Sequence, residues 1–115
     1  MANSYKFKGV ALATGSETAL LTAASTETII IRSIRVTNNT SNTPNISLDI
    51  ADNSASAEYT ILKTQTLSAN TGIELIKVPL VLEPSDAIKA TISSSDSIHF
   101  GISYLVITWL HWLIY

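Results

Sequence analysis

The chain has 115 residues, 46% hydrophobic and only 14% charged, with seven Lys/Arg against nine Asp/Glu and a net charge of −2. That length suits one domain. The aliphatic content argues against disorder. The absence of Cys excludes a disulfide scaffold, thiol catalysis and thiolate metal sites. Seven cations scattered from Lys6 to Lys89 make no basic face, so nucleic acid is not an expected partner. Ser, Thr and Asn supply the polarity instead, with 15, 14 and 7 copies.

At the N-terminus, Lys6 and Lys8 precede a short apolar run, Gly9 to Ala13, which is interrupted by Glu17. A secretory signal needs about 7–15 apolar residues, so no cleaved leader is expected. At the other end, Tyr104 to Tyr115 reads YLVITWLHWLIY without a formal charge. It falls short of the roughly 20 residues a spanning helix needs, so no membrane span is expected.

Period-two alternation dominates the chain. Strands are predicted near 5–12, 18–23, 28–37, 45–51, 57–63, 73–78, 86–93 and 97–107. The clearest is the last, where Ile98, Phe100, Ile102, Tyr104 and Val106 alternate with His99, Gly101 and Ser103. In the third, Ile34 and Val36 alternate with Ser33 and Arg35, whereas Ile29, Ile30 and Ile31 run consecutively. A bulge or a change of exposure near Ile31 reconciles the two halves. Residues 17–26 show only a weak helical pattern. Clusters rich in Asn, Asp, Ser and Gly separate the strands, and Pro84-Ser85-Asp86 places Pro where a type I turn wants its fixed φ. The fold class is all-β: a single antiparallel β-sandwich of about eight strands, jelly-roll-like, with an immunoglobulin-like sandwich as the alternative. The domain spans 1–107, and 108–115 forms an apolar C-terminal tail.

No catalytic constellation emerges. His99 and His111 are the only imidazoles, too few for a zinc site without carboxylate help. Asp49 with Asp52, or Asp86 with Asp96, are the carboxylate pairs available for acid–base work on a sugar. Turn capping is their simpler role. Asp49, Asp52 and Asn53 lack the 12-residue calcium-loop pattern. Glycines at 9, 15, 72 and 101 are too dispersed for a phosphate loop. No catalytic residue, cofactor or metal is expected.

Three stretches, taken in order, resemble a family of small tailed-bacteriophage virion proteins often found in marine phage genomes. They are Met1 to Val10 with Glu17 to Ala23; Ile34 to Asn38 through Ile46-Ser47-Leu48 to Asp52–Ala55; and Val78 to Ala90 closed by His99 to Leu105. The likeness covers about residues 1–107. It implies a non-enzymatic β-sandwich subunit of a virion, made in the host cytoplasm and placed in capsid decoration, neck, tail or fibre. That family stops near residues 105–107, so TWLHWLIY over 108–115 is either a docking tail or an altered end.

Apolar residues beyond one alternating face, namely Ile29, Ile31, Ile76, Val81 and the tail, point to an interface. Trp109, Trp112, Leu113 and Tyr115 are the expected contact residues. The expected partners are further copies in a point-group homo-oligomer and other virion proteins. The alternative is a carbohydrate- or receptor-binding module of a fibre, with Trp109 and Trp112 stacking on a glycan near Asn38, Asn39 and Asn42.

Overall fold

The computed structural model describes residues 2–108, which form nine β-strands and, among those residues, no helix. The strands are β1 (Ala2–Leu12), β2 (Thr18–Thr22), β3 (Glu27–Asn38), β4 (Asn45–Asp52), β5 (Ala57–Thr66), β6 (Gly72–Glu74), β7 (Leu80–Leu82), β8 (Ala87–Ile92) and β9 (Ile98–Thr108). All pairings are antiparallel. One sheet has the order β1-β9-β3-β6, with β7 also paired to β3; the other has the order β2-β8-β4-β5.

The pairing is nested. β4 with β5 is the innermost hairpin, then β3 with β6 and β7, then β2 with β8, then β1 with β9 outermost. Rolling that long hairpin up adds the contacts β3–β9 and β4–β8 and closes two sheets over one core. This is a jelly roll, which decides between the two sandwiches that periodicity left open. Within the segment 17–26, ambiguous in sequence, Thr18–Thr22 form β2.

Between the sheets lie Leu20, Ile29, Ile31, Ile34, Ile46, Leu48, Leu67, Leu82, Ile88, Ile92, Ile98 and Ile102, all less than 2% exposed. Branched aliphatics suit this position because they pack well on a pleated surface.

β3 explains its own mixed pattern. Ile31 pairs with Tyr104 and Ser33 with Ser103, so Arg32 is an extra residue against β9. A single insertion flips the parity. Before it Ile29 and Ile31 point inward; after it Ile34 and Val36 do. Ile29 and Ile31 are therefore core residues, not the surplus apolar surface expected from their sequence. The residue between them, Ile30, takes the outward position.

The strand predicted at 73–78 is shorter than expected, and a separate strand follows it. The Glu74 carboxylate accepts the Ile34 N–H at 2.8 Å and the Ser33 hydroxyl, occupying positions that a longer β6 would have filled with backbone. Pro79, which has no N–H to donate, then separates this segment from β7. The turn at Pro84 also differs from expectation. The Asp86 N–H donates to Glu83 O at 3.0 Å and Ser85 has φ 70°, which makes it type II rather than type I.

Candidate assembly surface

The residues that sequence alone offered for chemistry are separated by the fold. His99 stands exposed on the outer face of β9, opposite Ala11 and Thr37; His111 lies outside the described residues. Asp49 and Asp52 belong to two different acidic clusters, one with Glu17 and Glu58, the other with Glu83 and Asp86. Asp86 and Asp96 flank opposite ends of β8. Neither proposed carboxylate pair exists as a pair.

Several of these acidic groups have a structural occupation. Lys89 reaches Glu58 at 2.9 Å and Glu17 at 3.9 Å, so a cation sits within the first cluster. The hydrogen bond from Lys89 to Glu58 holds the Lys89 ammonium above its ordinary value. A hydrogen bond shared with Asp49, reinforced by partial desolvation, raises the Glu17 carboxyl above the usual carboxylate range. Asp86 is buried, and its two oxygens accept the N–H groups of Asn53 at 2.9 Å and Glu83 at 3.0 Å. It ties the β4–β5 and β7–β8 turns together.

Asn38 is the corresponding tie at the opposite end of the molecule. It is fully buried. Its amide donates to the carbonyls of Asn42 at 2.8 Å and Ser68 at 3.2 Å, with Leu67 O at 3.4 Å. Its carbonyl oxygen accepts the Thr40 N–H at 3.0 Å and hydroxyl at 2.7 Å. Every polar atom of this side chain is engaged in holding loops, which leaves none for a sugar hydroxyl. The Asn42 amide donates to Asp96 at 2.8 Å.

The outer face of the first sheet is different in character. Tyr5 pairs with Leu105, Leu105 with Ile30, and Ile30 with Val81, each in direct register. Residues in register share a face, so these four side chains form one apolar row across β1, β9, β3 and β7. Phe7 and Ile107 flank it on neighbouring outward positions of β1 and β9. At the row's ends Tyr5 is 74% and Val81 54% exposed, and Phe7 is 69% exposed. Sheets with one solvated face normally alternate apolar-in with polar-out. Here a stripe of the outer face breaks that rule from edge to edge.

Val81 was legible as surplus apolar surface. Tyr5, Phe7, Ile30 and Leu105 were not, although Leu105 and Ile107 carried the signal: both fall on the otherwise polar parity of β9. Trp109, Trp112, Leu113 and Tyr115, the contact residues expected from sequence, lie outside the described residues. Ile76 is half-buried and packs against the core.

No protein-family model and no curated protein matches the chain. Solved structures do. A protein of the Bacillus endospore appendages, which form a family of disulfide-linked pili, matches with TM-score 0.55 and 7% identity, over 94% of this chain and 88% of that one. A chain of the infectious bursal disease virus Gx strain matches with TM-score 0.54 and 11% identity, over 92% of this chain but 32% of its own. The nucleoplasmin-like N-terminal domain of Drosophila FKBP39 matches with TM-score 0.50 and 13% identity, over 92% and 93%. At such identities the likeness is one of fold. The solved neighbours include viral and pilus structural proteins.

Proposed function

We propose that this chain is a non-enzymatic structural subunit of a virion, of the tailed-bacteriophage kind, that works by assembling with further copies and with other virion proteins. Capsid decoration, neck, tail and fibre are the places such a subunit occupies. The observation that carries the reading is the outward apolar row Tyr5–Leu105–Ile30–Val81 on a jelly roll whose buried polar side chains, Asn38 and Asp86, are spent on holding loops and turns. Exposed apolar stripes on small proteins mark contact surfaces. The neighbours of similar fold in a viral chain and in pili support the same reading. The uncharged residues 109–115, with Trp109, Trp112, Leu113 and Tyr115, supply the second contact element. With no cysteine in the chain, no disulfide holds such an assembly together.

Sedimentation equilibrium across a hundredfold concentration range tests the assembly: a defined oligomer is expected, and a monomer throughout refutes it. Cryo-electron microscopy of purified particles tests the location. Stoichiometric copies at fixed positions are expected, and absence from the particle refutes the virion assignment.

A further inference from the structure

We infer that the apolar row Tyr5–Leu105–Ile30–Val81 is the receptor for residues 109–115 of a second copy of the chain; this rests on the assembly reading above and names its two halves.

The row is too small to be an interface by itself. Four side chains expose on the order of a few hundred Å², whereas each partner in a standard interface buries about 800 Å². It needs an apolar occupant that brings surface of its own. Residues 109–115 read Trp-Leu-His-Trp-Leu-Ile-Tyr, without a formal charge. They follow Thr108, which pairs with both Ala2 and Glu27 and lies three residues beyond Leu105. The reach is adequate: seven extended residues span roughly 23 Å, and four adjacent strands cover about 14 Å.

Occupation by the same chain requires an immediate reversal over β9. Such reversals use Gly, Asn, Asp, Pro or Ser, and residues 109–115 contain none of them. A segment without turn chemistry is better suited to reach a neighbour than to fold back. The row of one copy then takes the segment of another.

The sheet edges leave this face as the open route. A free edge invites pairing with another chain unless something blunts it. β2 and β5 carry register shifts, and β6 and β7 have three residues each. β1 is long, but Lys6 and Lys8 share the inward parity of Val10 and Leu12, and inward-pointing charges disfavour continuing the sheet.

The test uses the full chain. The wild type is compared with Tyr5→Ser/Val81→Ser, Trp109→Ser/Trp112→Ser and the four-site combination. Sedimentation equilibrium reads assembly, and circular dichroism confirms that each variant is folded. Each double variant is expected to raise the dissociation constant at least tenfold, and the combination to add little beyond either. A monomeric wild type overturns the assembly reading. A wild type that assembles, beside a Tyr5→Ser/Val81→Ser variant that assembles equally well, overturns only the present inference. So does a combined loss equal to the product of the two separate losses. Because the chain lacks cysteine, disulfide trapping adds a direct readout. A mixture of Tyr5→Cys and Trp112→Cys chains is expected to give mixed covalent dimers in excess of either homodimer. A Tyr5→Cys/Trp112→Cys chain that oxidises wholly as a monomer places the segment on its own row and overturns the exchange.

Discussion

The ring of Phe7 lies on the backbone of Gly101: a Cβ placed there would stand 3.1 Å from Cε1 and 3.2 Å from Cζ of the ring. Phe7 pairs with Ser103, so the contact is diagonal, and Gly9 faces Gly101 directly. An aromatic ring in this position covers a stretch of strand that has no side chain of its own. Phe7→Ala is expected to cost about 0.5–1 kcal/mol, as for other cross-strand pairs. Gly101→Ala is expected to shift stability by less, because Phe7 is largely exposed and can swing aside. Urea unfolding of both variants checks the order of the two effects.

Ile102 is completely buried on β9, between Lys8 of β1 and Ile34 of β3. Ile102→Asp places a carboxylate with no partner in the centre of the sandwich, a cost of several kcal/mol. Small domains have only about 5–15 kcal/mol in reserve. Loss of the folded state is expected, read as disappearance of the β-sheet circular dichroism and of the cooperative melt.

Asn38→Ala removes a buried amide that serves three carbonyls and two donors. Leaving such groups unpaired costs about 1–3 kcal/mol each, partly recovered where water enters. A loss of about 2–4 kcal/mol is expected, with faster hydrogen exchange at residues 39–44 and 67–71. Asn42→Ala retains the carbonyl that Asn38 uses and is expected to cost less.

Asp96 accepts hydrogen bonds from the Ser94 hydroxyl and, at 2.8 Å, from the Asn42 amide, and these hold its carboxyl below the ordinary value. A depressed folded-state value means stability that is present above the unfolded carboxylate range and is lost as pH falls through the folded value. Glu17 is raised, so its contribution runs oppositely, and stability falls as pH rises through its range. Asp96→Asn is expected to lower the urea midpoint at pH 7 and to flatten its decline below pH 4. An unchanged acid limb speaks against the assigned role.

The strands were legible because alternation reports burial directly, and β9 is the clearest case. The bulge in β3 was legible from three consecutive isoleucines flanking a run of opposite parity. Which isoleucines faced out was not, because that depends on where the extra residue falls, and Arg32 is distinguished only by its pairing. The outward row was hidden for a related reason. Tyr5, Leu105, Ile30 and Val81 come from four strands, and each is a lone apolar residue until register aligns them. The nested pairing is a property of strand order, to which a local period is blind. Part of the β6–β7 break rests on one carboxylate, Glu74, bonding to a strand 40 residues away in sequence.

The Ala2–Thr108 pair has a practical corollary. Both ends of the described chain emerge side by side, a short way along the strands from Tyr5 and Leu105, so an affinity handle or fluorescent fusion at either end would shadow the apolar row and could dissociate the very complex it was meant to report. The connection at 39–44, beyond the far ends of β3 and β9, carries neither end, and a small dye attached there through Ser41→Cys, an exposed position outside the Asn38 bonds, would leave the row unobstructed.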